Sequence, residues 1–212
     1  MWPIVRRGGP RAFDDHDDQL AALEAANCQP RSLIAHLHSA SSGASGFPNP
    51  HPFAEVGWLF CHNGTITNDD VKLLASLIGQ TYLLKHPLDY AADLDSEYLS
   101  TYLVKEVAYR APQTSSEAAI RTALWIFDAN STGTSNSINF LLTDGERLWA
   151  CRHTYAGGQE PFLYYRSLGP GSWHASKTPP NPTRAWMAVG NHRLVTLSPT
   201  HSPVFTPLLV KQ

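Results

Sequence analysis

The sequence predicts an α+β layered domain. Three observations predict it: strand-length apolar runs toward both ends of the chain, amphipathic helical patterns between them, and an Asp-Gly turn joining two strand-like segments. The order is not a strict βαβ alternation. With 212 residues, a single domain over 1–212 is the expectation. Hydrophobic residues make up 42% of the chain, with six Trp, eight Tyr and eight Phe, enough to build a core. That aromatic content excludes a disordered chain. A formal net charge of −2 and only 16% charged residues leave no electrostatic footprint for nucleic acid. No period between about 20 and 50 residues recurs, so a solenoid or propeller is excluded.

The elements follow in order. Residues 14–27 (DDHDDQLAALEAAN) read as a helix whose acids crowd the first turn, where the helix dipole favours them. SLIAHLH (32–38) and VGWLFCH (56–62) read as strands, with the small, Gly- and Pro-rich stretch between them as loop. Asn68 or Asp69 caps a helix that Gly79 closes. A further helix starts near Asp95, with Leu99, Tyr102, Leu103 and Val107 at helical spacing. Thr114 and Glu117 form a capping-box pattern at the head of SSEAAIRTALWIF. The period then changes: NSINFLLT and ERLWACR flank Asp144-Gly145, a strong hairpin signal. FLYYRS, AWMAVG and HRLVTLS read as strands, with GPGSW and KTPPNPT as surface loops between them.

MWPIVRRGGP has no long apolar run behind its arginines, and no 18 consecutive apolar residues occur anywhere. A signal peptide and a spanning helix are therefore not expected. Cys28, Cys61 and Cys151 are an odd, widely spaced set with no CxxC pair. Reduced thiols in a cytoplasmic protein are the expectation.

One stretch carries chemistry. His62-Asn63-Gly64-Thr65-Ile66-Thr67-Asn68 follows an apolar strand directly. A glycine after an asparagine there lets the backbone turn sharply and present a side-chain amide beside a backbone N–H. Two convergent donors are what a developing oxyanion needs. The structural alternative is a plain Asn-Gly turn between strand and helix.

The surroundings make the pattern more specific. The chain reads His36-Leu37-His38-Ser39-Ala40-Ser41-Ser42-Gly43, then Asn49-Pro50-His51-Pro52-Phe53, then Leu59-Phe60-Cys61-His62-Asn63-Gly64, then Asp95-Ser96-Glu97. In that order these segments resemble the class II glutamine amidotransferases, which are N-terminal-nucleophile hydrolases. The resemblance implies a four-layer αββα sandwich, here expected to lack its first strand or strands, since only 35 residues precede His36. It implies that Asn63 and Gly64 form the oxyanion hole, and that Asp95 pairs with the substrate α-ammonium. It places a hydroxyl, Ser41, where the family carries threonine. His38, Ser41, His62 and Asp95 are thus the candidate substrate-binding residues. No cofactor and no metal are implied.

Two departures stand out. His38 occupies the position of the arginine that grips the glutamine α-carboxylate, and a neutral imidazole cannot reproduce a guanidinium fork. The family nucleophile, an N-terminal cysteine, is also not found where the chain begins Met1-Trp2-Pro3. A start lying upstream, with Met-Cys, is one expectation this raises. Cys61 precedes His62, but adjacent strand residues point to opposite faces, which favours core packing for the thiol. His36, His38, His51 and His62 could gather around zinc, though no carboxylate or cysteine completes a recognised spacing.

The resemblance implies hydrolysis of the side-chain amide of glutamine or of a γ-glutamyl compound if a nucleophile is supplied. Ammonia would pass to a separate synthase or acceptor subunit, or to water. The alternative is an inactive pseudoenzyme serving as a binding or assembly subunit. An uncovered sheet edge predicts either a homodimer or a covering by residues 1–13.

Overall fold

A computed structural model describes residues 27, 32–36, 51–88, 94–155, 163–169, 172–176 and 186–209. Two antiparallel sheets form the frame. The larger has strand order β1-β2-β3-β4-β8-β9, with β1 Phe53–Glu55, β2 Trp58–His62, β3 Ser137–Thr143, β4 Leu148–Thr154, β8 Arg193–Ser198 and β9 His201–Pro207. The smaller has order β6-β5-β7, with β5 Tyr164–Gly169, β6 Ser172–Ser176 and β7 Met187–Ala188. Four helices lie between β2 and β3 in the chain: α1 Asn68–Ile78, α2 Gln80–Lys85, α3 Asp95–Arg110 and α4 Ser116–Asn130.

The larger sheet is apolar on both faces, and the period of two divides them. Phe60, Ile138, Phe140, Leu142, Trp149, Cys151 and Leu194 face the helices and meet Leu74, Leu99, Leu103, Ile120, Leu124 and Phe127. Ala150, Val195 and Leu197 face the other way and meet Leu163, Tyr165 and Val189 under the smaller sheet. Helices, large sheet and small sheet therefore stack as successive layers, as the α+β reading expects. Trp149 is fully buried and lies 5.4 Å from Trp58, ring centre to ring centre.

Several elements differ from expectation. Val56 and Gly57 both have positive φ (48° and 84°), so they form a tight turn that folds Phe53–Glu55 back on β2 as a strand. The sequence reading placed Val56 and Gly57 inside a strand. Residues 32–36 are not a strand, and the rest of that run, like nearly all of the 14–27 helix, lies outside the described residues. At α4 the cap is Ser115, whose hydroxyl accepts from Ala118 N, while Glu117 reaches away to Thr196 and Thr206 on β8 and β9. The expected Thr114–Glu117 box does not form because Glu117 has better partners across the fold. GPGSW was expected as loop, yet Ser172–Ser176 pairs with β5. β9 and α2 were not foreseen. No helix among the described residues is long and apolar enough to cross a membrane.

Candidate active site

β2 ends at His62, and the Asn-Gly turn rides on the first residues of β3. Asn63 N donates to the Asn139 carbonyl at 2.7 Å, Thr65 N to Ser137 O at 3.1 Å, and Ser137 N returns to Thr65 O at 2.9 Å. The Asn139 amide reaches Asn63 O at 3.3 Å and Ser137 Oγ at 2.9 Å. The buried His62 ring spans the gap to α3: Nε2 lies 3.0 Å from Ser137 O, and Nδ1 lies 2.9 Å from Ser96 Oγ. A carbonyl can only accept, which assigns the ring proton to Nε2 and, for the neutral ring, leaves Nδ1 to share the single Ser96 hydroxyl proton with Asp95 Oδ1, 3.2 Å from that hydroxyl. Burial holds the His62 pKa below its usual value, against the opposing pull of the Asp95 charge.

Gly64 has no room to be anything else. A Cβ there would sit 1.8 Å from Ser137 O and 2.8 Å from His62 Nε2. Among the described residues neither the Asn63 side-chain amide nor the Gly64 N–H has a hydrogen-bond partner. Gly64 is exposed and Asn63 half-buried.

Asp95, the first residue of α3, closes the cluster. Its Oδ2 accepts from Ile66 N at 2.9 Å, and its Oδ1 accepts from Ser96 N at 2.7 Å. The carboxylate sits at the helix start and against the turn two residues past Gly64. Thus the structure brings His62, Asn63, Gly64 and Asp95 together, while His38 and Ser41 lie outside the described residues. A cleft of about 350 Å³, walled by Phe53, Glu55, Lys85, His86, Glu97 and Ser100 among others, runs along α3 on its β1 side. Asp95 and the turn are not among its walls.

A knot of buried polar groups around Asp70 holds the far side of the turn and was not read from the sequence. Asp70 on α1 is 1% exposed. Its Oδ2 accepts from the hydroxyls of Thr67 (3.1 Å) and Ser131 (2.9 Å), Gly133 N (3.1 Å) and Asn136 Nδ2 (2.6 Å). Asn136 Oδ1 in turn accepts from Thr67 N at 3.0 Å. This knot fixes the approach to Ser137, hence the carbonyl that shapes the turn. The available signal was the run Ser131-Thr132-Gly133 to Asn139, where polar residues interrupt an otherwise apolar strand.

The thiols do not complete the site. Burial pushes the Cys61 thiol up to about 12 and raises Cys151 well above its usual value. Both are packed side chains with no tendency to ionise, as expected for Cys61; Cys28 lies outside the described residues. Among the described residues no zinc arrangement assembles: His36 stacks on His51 with centroids 4.2 Å apart, the His62 nitrogens are taken by Ser96 and Ser137, and His38 lies outside those residues.

Residues 17–164 match the family described as glutamine amidotransferases class-II. Among solved structures, a glutamine aminotransferase class-II domain protein from Silicibacter pomeroyi superposes with a TM-score of 0.56 at 22% identity, covering 75% of this chain and 71% of that one. A predicted glutamine amidotransferase from Pseudomonas aeruginosa gives 0.45 at 16% identity, covering 71% and 63%. Glutamine phosphoribosylpyrophosphate amidotransferase from B. subtilis gives 0.45 at 11%, covering 71% and 29%. No curated protein matches significantly. The first likeness shows the N-terminal-nucleophile hydrolase fold, and the family match spans well over half of the sequence: the chain belongs to the class II glutamine amidotransferases.

Proposed function

We propose that this chain binds glutamine or a γ-glutamyl compound at the 62–66 turn and hydrolyses its side-chain amide when a nucleophile is supplied. The observation that carries the reading is the pair of unpartnered donors on Asn63 and Gly64, pinned by Ser137 O and flanked by the Asp95 carboxylate. Two neighbouring donors with no protein partner are the kind of groups that can stabilise a developing oxyanion. Asp95 offers the complementary charge for an α-ammonium group, and its bonds to Ile66 N and Ser96 N set its place relative to the donors. His62 serves this site by holding the turn against α3, since both ring nitrogens are already engaged. His38 and Ser41 would complete substrate binding, with His38 giving a weaker carboxylate grip than arginine. Ammonia would leave to a separate acceptor subunit or to water.

A second reading, a binding or assembly subunit without turnover, is favoured by the two buried thiols. An oxyanion hole alone supports a residual rate but forms no thioester. The test is ammonia release from glutamine and γ-glutamyl amides, with and without a thiol-alkylating reagent, alongside calorimetric binding of glutamine. The expected result for the 212-residue chain is weak binding and no thiol-dependent turnover. Turnover lost both on alkylation and on Cys61→Ala would make Cys61 the nucleophile. Turnover gained on adding an upstream Met-Cys segment would establish the hydrolase. Absence of glutamine binding would refute the substrate assignment.

A further inference from the structure

Two strands along the same end of the large sheet from Asn63 lies a second polar assembly, built from α4, β4 and the turn before β8. Arg152 is in register with Asn139 on one side and Arg193 on the other, so Thr154 of β4 lies just beyond the last ladder pair with β8. There a side chain takes the place of a strand. Asn191 Oδ1 accepts from Thr154 N at 2.9 Å and from His192 N at 2.9 Å, and Asn191 Nδ2 donates to Thr154 O at 2.8 Å. Because all three partners are backbone groups of known polarity, the orientation of this amide is fixed.

That orientation sets every proton behind it. The other hydrogen on Asn191 Nδ2 points to His192 Nε2 at 3.3 Å, so Nε2 is an acceptor. The His192 proton therefore sits on Nδ1, 2.8 Å from His153 Nδ1, which must accept it. His153 then donates from Nε2 to Asp128 Oδ1 at 3.0 Å, and the Tyr155 hydroxyl donates to the same oxygen. Asp128 and His153 are fully enclosed, at 2% and 0% exposure, whereas His192 is half-buried. The result is a one-way chain of hydrogen bonds from a surface amide through two imidazoles to a buried carboxylate.

We propose that Asn191 is a proton-gated clasp: a proton on His192 Nε2 forces the amide to choose between the imidazolium and the Thr154 backbone. A cationic Nε2–H needs an acceptor where Asn191 now presents a donor. Turning the amide supplies Oδ1 to the ring but withdraws it from Thr154 N and His192 N, so the two-point clasp opens. The groups around His192 among the described residues are Asp128 on α4, Arg152 and His153 on β4, Tyr155 just past that strand, and Arg193 beside it; just past β9, Leu208 N donates to the His192 carbonyl. Burial, the adjoining His153 ring and the Arg152 charge hold the His192 pKa below its usual value, with Asp128 opposing, so the ring is neutral and the clasp closed near pH 7. His192 also holds φ of 55°, a conformation the closed clasp helps to maintain.

Opening would loosen residues 186–192. They include β7, an edge of the small sheet, tied back by Val189 N to Leu163 O and by Arg152 to Val189 O, each at 2.8 Å. The proposal stands apart from the amidotransferase reading and uses none of its residues.

The test uses the whole ¹⁵N-labelled chain. Imidazole NMR at pH 8 is expected to show His192 protonated on Nδ1 and His153 on Nε2. Between pH 7.5 and 5, exchange of the Thr154 amide, corrected for its intrinsic rate, is expected to lose protection at least tenfold more than the mid-strand amides of Phe140 and Ala150. His192→Asn, which tolerates positive φ and does not titrate, should hold Thr154 protection constant over that range. A His192 proton on Nε2 at pH 8 overturns the proposal, and this measurement needs no variant. So does a pH-independent Thr154 amide, or an acid loss that persists in His192→Asn.

Discussion

Gly64 shows how one missing methyl group can define a site. With Ser137 O 1.8 Å from where a Cβ would stand, alanine cannot be accommodated by rotating a side chain, because the obstacle is backbone on a paired strand. Gly64→Ala must push the turn off β3, breaking the Thr65–Ser137 pair and moving both donors. The expected outcome is destabilisation of about 2–3 kcal/mol, with glutamine binding abolished. Urea unfolding checks the first and calorimetry the second. A variant with normal stability and normal binding would show that the turn has slack the geometry denies. At this scale the sequence was informative: Asn63, Gly64 and Asp95 could be picked out because short-range turn chemistry and helix starts leave local marks. Asn136 and Asn139 left only a polar run with nothing to name its partners, which are 66 and 76 residues away.

At the scale of elements, the turn is a product of two anchors, α1 and α3, which the chain brings to the start of β3 from opposite directions. Asp70 anchors the first. It collects four donors on one oxygen, and the loop 131–136 folds around it. Asp70→Asn keeps the size but places an amide among groups that all donate. About 2–3 kcal/mol of stability should be lost, or roughly 4–12 °C in melting temperature for a chain of this length. Differential scanning calorimetry measures it. Gly133 makes the same point, because a Cβ there would lie 2.2 Å from Asp70 Oδ2. The hairpin β3–β4 and the helices α3 and α4 were legible from period and from Asp144-Gly145. The strands β1, β6 and β9 were not: each is short or polar, and each exists because a neighbouring strand offers an unpaired edge, which is tertiary information.

For the molecule as a whole, stability should depend on acid through its buried rings. His62 and His192 both have folded pKa values held below the ordinary 6.5. The unfolded chain therefore takes up these protons first. Stability is full above pH 6.5, falls as pH drops between the unfolded and folded values, and levels off below the latter. Urea midpoints between pH 8 and 5 should decline on acidification, with a shallower decline in His62→Asn. An unchanged midpoint across that range would mean that folding lowers the pKa of neither ring. The layered architecture itself was predictable because apolar alternation on β3, β4 and β8 divides cleanly between two cores. How the turn before β8 would lock to β4 was not, because Asn191 acts there through its side chain in place of a strand residue.

The Trp58–Trp149 pair gives this protein a built-in optical signature. Trp149 is sealed at 0% exposure between the large sheet and the helices, with its partner ring 5.4 Å away at 35°. An indole without water emits at shorter wavelength than a hydrated one, and two indoles this close couple their electronic transitions in the ultraviolet. Loss of the seam between sheet and helices would therefore shift the emission to the red and erase the coupled circular-dichroism band together. Loosening of the small sheet alone would expose Trp173, which packs against the second core, and so redden part of the emission, while the coupled circular-dichroism band of the pair would stay in place. The molecule thus reports, by its own light, which of its two cores has given way.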